Sequence, residues 1–446
     1  MRFPFAIRTD LPVTELDRVV SFVHDTTLAD VPDEAVRHGR RFLLDLLGVA
    51  AAGSRTELSR IIRDHAVAHF GAGPGAKAAP MLFDGRLVSP AGAALAGGMT
   101  IDSIDAHDGH RLTKGHTGCG LLPALLAFHA AEGLDDMDDL LAALVVGYEV
   151  GTRAGIALHA TVPDYHTSGA WIALGCALVG ARALGLDAAR TAEAIGIAEY
   201  HGPRSQMMRV IDHPTMLKDG SGWGAMAGTA AAYLAADGFT GAPAITVDSD
   251  EVAEFWSDLG STWLTEDQYL KQFPVCRWAQ PAVAAAHDLM TDHGLDAADV
   301  VDVEVTTFHE GARLAVRHPT TTEQAQYSLP FPVAATIVHG EVTPATVTAG
   351  LDDEAINRLS ASIRITEDEA HNAAFPAQRF ARVALTLTDG RRLESADREA
   401  SGDPHTPLTD DEVMTKFRSY AGSAADALES ASSVSELLRQ STVSST

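Results

Sequence analysis

Apolar residues recur at three-to-four-residue spacing from about Thr14 to Gly241, as in DEAVRHGRRFLLDLLGVAAAG and LLPALLAFHAAEGL. This is the period of helices that bury one face. The stretches SGAWIALGCALVGARALGL and GWGAMAGTAAAYLAADG are so rich in Ala and Gly that their helix axes are expected to approach closely and bury one another. Stop signals punctuate the run at Gly133-Leu134-Asp135, Gly185-Leu186-Asp187 and Gly238-Phe239-Thr240-Gly241. The pattern predicts an all-α body.

After Gln268 the texture changes to alternating β-branched runs at 300–308, 360–368 and 380–396. The last holds Asp389-Gly390, a hairpin signal flanked by alternation. Helical stretches lie between these runs, so residues 268–402 read as a smaller α+β domain. Thr409 caps a further helical segment, LTDDEVMTKFRSYAG, that is expected to return to the helical body. The fold class is mainly α: a large helical domain over 1–267, completed by 403–446, and an α+β lid domain over 268–402. The Ser-rich end STVSST is expected to fray.

Charge narrows the partners. Asp and Glu number 60 against 33 Lys and Arg, a formal net charge of -27 over 446 residues. Such a surface repels phosphate backbones and anionic headgroups, which excludes nucleic acid and acidic membranes as expected partners. The most apolar stretch, 170–180, is too short to span a bilayer, and MRFPFAIRTDLPVTELD does not read as a signal peptide. A soluble cytoplasmic protein is expected, with Cys119, Cys176 and Cys276 as reduced thiols. Lysine is scarce: Lys77, Lys114, Lys218, Lys271 and Lys416 are the whole set. An anionic substrate would need a local cationic pocket.

Three polar clusters interrupt the helices. The densest, IDSIDAHDGHRLTKGHTGCG at 101–120, places carboxylates beside imidazoles, including Asp105, His110, Arg111 and His116, where proton transfer near neutral pH can be tuned. The same residues also suit a solvated loop, and His107, Asp108 and His110 are metal-ligand types without an established spacing. The second cluster places His166 ahead of Thr167 and Ser168, plausible caps of the helix that follows. The third, HPTMLKDGSGWGAMAG, sets Lys218 at the opening of an apolar helix, where the dipole opposes it unless an anion is present.

Taken together, DGHR followed by GH, the single histidine ahead of an Ala/Gly helix, and TMLKDGSGWGAMAG leading into AADGFTGAP resemble the MmgE/PrpD family of 2-methylcitrate dehydratases, cis-aconitate decarboxylases and related epimerases. KQFPVCRWAQPAVAAAHDL and EQAQYSLPFPVAATIVHGEVTP are similar to its remaining signatures. The resemblance implies a homodimer with a helical domain and a lid, and cofactor-independent elimination, decarboxylation or epimerisation of small polycarboxylates without a metal. It implies Asp105, His116, His166 and Lys218 as catalytic groups, with His110, Arg111, Arg277, Gln280 and Phe331 against the substrate. Gln280 stands where many members have histidine, Phe331 where tyrosine is common, and Thr117 where proline is usual. Gln cannot titrate and Phe has no hydroxyl, so two lid-side proton donors are missing. A lyase acting on a small carboxylate is the leading expectation. An epimerase or isomerase using the same site, and a non-catalytic binding protein, are the alternatives.

Overall fold

Small side chains decide how the helices of the larger part meet. Helix Gly169–Ala183 crosses helix Ser221–Ala236 so tightly that a Cβ on Gly224 would lie 2.4 Å from the Gly169 carbonyl oxygen, and one on Gly228 2.2 Å from that of Ala173. Hydrogen at these positions allows the contact. Helices Pro90–Asp102 and Gly118–Glu132 pack on the same Ser221–Ala236 helix, completing a body built around one apolar core. The computed structural model describes residues 14–443, so the N-terminal stretch read for a signal peptide and Ser444–Thr446 of the Ser-rich end lie outside the described residues. Ser441–Val443 close the last helix, Val434–Val443.

Helix Met137–Thr161 is long and apolar enough to cross a membrane, yet it is buried inside the body. It carries an internal ion pair, Arg153 Nη1 to Glu149 Oε2 at 3.0 Å, one helical turn apart. Glu149 also accepts the backbone N–H groups of Leu264 and Thr265 at 3.0 and 2.7 Å, which fixes the turn that presents Asp267. The helix Asp410–Ala421 begins with Thr409 and Glu412 in a capping box and packs on helix Asp33–Gly53. The chain thus returns to the helical body.

A second core gathers helices Gln280–Asp292 and Pro330–His339 against a four-stranded sheet. Its central strand Val300–Thr307 pairs parallel with Arg364–Glu367 and antiparallel with Ala381–Leu387. Ala381–Leu387 in turn pairs with Arg392–Glu394 through the expected hairpin, where Gly390 takes φ +85°. The fold is therefore mainly α, with a smaller α+β part.

The run at 360–368 departs from its expected strand. Its first residues complete helix Glu354–Ser362, because Asp353 caps that helix and Ile356 and Ser360, one turn apart, are both buried. The strand begins only at Arg364. A two-stranded ladder, Ala79–Pro80 with Leu87–Val88, interrupts the helical body without having been expected. Met207, Val210 and Ile211, from within the helical sequence, belong to the second core. Their segment therefore bridges the two parts beside the crevice described next.

Candidate active site

The crevice begins where helix Pro90–Asp102 ends. The chain turns at Asp105 with φ +52°, and Lys114 and Lys218 are likewise left-handed at +51° and +48°. Among the described residues Phe83 is the one other non-glycine with positive φ. Such backbone costs of order 1–3 kcal/mol per residue and persists where the surroundings hold it. For Asp105 the holder is Lys271, whose Nζ donates to the Asp105 carboxylate at 2.7 Å and to its carbonyl at 3.1 Å. Both side chains are buried.

His116 stands opposite. Its Nδ1 lies against the carbonyl oxygen of Asp108, which can only accept, so Nδ1 carries the proton and Nε2 keeps its lone pair. Its backbone N–H donates to Ser168 Oγ at 2.9 Å, and that hydroxyl donates to Asp219 Oδ2 at 3.0 Å. Asp219 Oδ2 is 3.5 Å from His116 Nε2. Ser168 therefore does not cap its helix as the sequence suggested: it sits in helical backbone, and its hydroxyl is spent joining His116 to Asp219.

Burial and charge set the protonation states. Burial, reinforced by Lys271 and His107, holds the His116 imidazole well below its usual pKa, so the ring is neutral near pH 7. Burial and the nearby Asp102 and Asp105 carboxylates raise Asp219 to about 7. Burial alone would also raise Asp105, but Lys271, Lys218 and His107 together hold it below the usual carboxylate value. Asp102 is held low in the same way by His107 and Lys218, and it accepts from Ser221 Oγ at 2.8 Å. The result is a neutral base beside a carboxyl group that titrates near neutrality, with an ammonium alongside.

Asp105, His116, Asp219 and Lys271 line one cavity between the two cores, together with Trp278 and Tyr327. Lys218 is buried just behind it, donating to Gln326 Oε1 at 2.6 Å with its Nζ 4.6 Å from the Tyr327 ring centre. Gln326 in turn donates to the Ser103 carbonyl at 2.8 Å, so this lysine ties the body to the smaller part. His166 is not brought to the cavity; it is half-buried, and its backbone N–H donates to His159 Nε2 at 3.0 Å.

His110 and Arg111 point elsewhere, both reaching Asp267, at 3.1 and 2.8 Å, and so brace the loop. Arg277 lines the cavity, but its guanidinium is engaged by Asp403 and by the carbonyls of Ala400 and Ser401. Gln280 donates to the carbonyls of Phe273 and Val275 at 3.0 and 3.1 Å, holding the turn after Lys271. Phe331 is buried in the second core. Neither Gln280 nor Phe331 lines the cavity.

Lys271 and Asp219 escaped the reading from sequence. Lysine scarcity was a usable signal, because four of the five lysines are buried in this structure and Lys77 alone is exposed. Asp219 is hidden in sequence by its neighbour Lys218. Asp102, Asp105 and His107 bring potential metal-ligand atoms within 4.8 Å of one another. The Lys271 ammonium already supplies positive charge to this cluster, through its 2.7 Å bond to Asp105.

A crevice between an all-α body and a smaller α+β part, holding a neutral imidazole and paired acidic and basic groups, defines an acid–base site of the kind used on small anions. The chain belongs to the MmgE/PrpD family: the MmgE/PrpD N-terminal domain matches residues 17–259 and the MmgE/PrpD C-terminal domain residues 273–439. It is similar to the cis-aconitate decarboxylase-like protein oryM of Aspergillus oryzae, at 23% identity over 94% of this chain and 95% of the relative. It is also similar to the cis-aconitate decarboxylases of Mus musculus, at 25% identity over 93% and 89%, and of Homo sapiens, at 24% over 90% and 86%.

Proposed function

We propose that this protein is a lyase of the decarboxylase or dehydratase type that acts on a small carboxylate by moving a proton to or from carbon. The observation that carries the reading is the His116 imidazole, neutral, fixed in tautomer by the Asp108 carbonyl, and set in a cavity with Lys271. Two of the three Lys271 ammonium hydrogens are taken by Asp105, which leaves a third to stabilise charge developing on a substrate carboxylate. In an elimination, Nε2 takes the proton from the carbon beside the carboxylate, the C–H pair becomes the double bond, and hydroxide leaves as water once protonated. In a decarboxylation, the C–C bond breaks, its electron pair stays on the substrate as CO2 departs, and the protonated Asp219 carboxyl supplies the proton of the new C–H bond.

The names of the three relatives make cis-aconitate the first substrate to test. His116 Nε2 and Asp219 Oδ2 lie 3.5 Å apart, close enough to serve the same substrate carbon, which supports the lyase reading. The test is NMR in D2O on cis-aconitate, citrate and 2-methylcitrate, with wild-type protein and His116→Gln. Net conversion that slows by about 10²- to 10⁴-fold in the variant is the expected result. Deuterium exchange without net conversion would move the assignment to an isomerase, and neither exchange nor conversion across the panel would overturn it.

A further inference from the structure

Most buried cations among the described residues are matched to carboxylates, while Lys218 donates instead to the neutral Gln326. Lys271 pairs with Asp105 at 2.7 Å, Lys416 with Asp45 at 2.7 Å and Arg153 with Glu149 at 3.0 Å, while Arg277 pairs with Asp403. Matching is easy in a chain with 60 acidic residues against 33 Lys and Arg. Two cations in the cavity break the rule. Arg379 is 6% exposed, its Nε has no hydrogen-bond partner, and its one hydrogen bond runs from Nη2 to the Arg111 carbonyl at 3.2 Å. No carboxylate of the described residues lies within ion-pair distance of it.

Lys114 is 8% exposed and lines the same cavity, and its Nζ rests 3.3 Å from the centre of the Tyr165 ring, with no carboxylate of the described residues at ion-pair distance. Its backbone is left-handed, at φ +51°. Burial and then Arg379 lower its pKa to about 8, whereas the one carboxylate that acts the other way, Glu310, does so from beyond ion-pair range. A buried guanidinium and a buried ammonium that share a cavity and lack an anion are a costly arrangement unless a ligand supplies one.

We propose that Lys114 and Arg379 form the seat for the substrate carboxylate remote from His116 and Lys271. The assignment rests on the lyase reading for the reacting end and deepens it at the other. Between the two ends lies Tyr269, with the Arg379 guanidinium 5.6 Å from its ring centre and the His116 ring 6.5 Å away. The planar guanidinium suits bidentate capture of a carboxylate, with Lys114 adding a point charge.

The test is titration calorimetry on the full chain with tricarballylate, butyrate and inorganic phosphate as probes, for wild type, Arg379→Met, Lys114→Met and Arg379→Lys, each checked for an unchanged thermal transition. Tricarballylate should bind wild type more tightly than butyrate. Each methionine variant should weaken tricarballylate by about 10- to 100-fold, and by much less for butyrate. Arg379→Lys should recover part of the loss. Equal losses for the two carboxylates, no tricarballylate binding by wild type, or phosphate binding more tightly than tricarballylate would each overturn the carboxylate seat. If tricarballylate binding depends on Arg379 but no substrate is turned over, the seat stands and the lyase reading fails. If turnover depends on His116 while both methionine variants bind tricarballylate normally, the lyase reading stands and the seat falls.

Discussion

Ion pairs on the four-stranded sheet and ion pairs behind the crevice use the same residue types to opposite ends. On the sheet, Arg364 meets Asp302 at 2.7 Å and Arg392 meets Glu304 at 3.4 Å, with all four side chains open to solvent. In the crevice wall and behind it, Lys271–Asp105 and Lys416–Asp45 are buried. Water weakens the first kind to a small contribution, whereas the second kind bears a desolvation cost that its partners only just offset. The difference teaches that the buried pairs are there for placement. Lys416 also donates to the carbonyls of Ala106 and Lys271, so helix Asp410–Ala421 pins both segments of chain that carry the Asp105–Lys271 contact.

The contrast breaks most sharply at Lys271. Lys271→Met should cost about 3–5 kcal/mol in chemical denaturation, because Asp105 is left buried and charged without its ammonium. Adding Asp105→Leu should return much of that stability while leaving the protein inactive, separating placement from folding. An effect of similar size is expected from Asp219→Asn, read as stability against pH. Folded Asp219 keeps its proton up to about pH 7, whereas an unfolded aspartate releases it near 3.8. Its contribution is full below pH 4 and is lost as pH rises through 7.

Relative to the variant, wild type should therefore lose of order 4 kcal/mol between pH 4 and 8. The neighbouring His116 acts in the reverse sense, since its depressed pKa costs stability as pH falls through 6.5, so the difference between the two proteins is the measurement. The smallest effect belongs to the sheet. Arg364→Ala should shift the denaturation midpoint by less than about 1 kcal/mol and leave turnover as it was. A large loss there would erase the distinction between the two kinds of pair.

The helical body was legible because its periodicity is strong and its small residues mark where helices touch, as at Gly224 and Gly228. The strands were legible from alternation, except at 360–362, where a cap at Asp353 and two buried residues one turn apart draw the chain ahead of Ile363 and Ile365 into a helix. The density of charge at 101–120 marked the loop, and the family resemblance singled out Asp105 and His116 within it. It could not show that His110 and Arg111 turn to Asp267, because that partner is about 156 residues away in sequence. Ser168 carried a cap signal, and tertiary structure used its hydroxyl otherwise. Arg379 offered no local signal at all, since its place in the cavity comes from the loop between helix Glu369–Ala374 and strand Ala381–Leu387.

The burial of the lysines has a use at the bench. Lys77, its side chain 58% exposed, is the one lysine that a bulky amine-reactive dye or an activated resin can reach freely; the other four are enclosed. Apart from the terminal amine, conjugation should therefore be nearly single-site. The labelled protein would present one orientation to a surface, and a small acylating probe that also modified Lys114 would report, by its slowing, the arrival of an anion in the crevice.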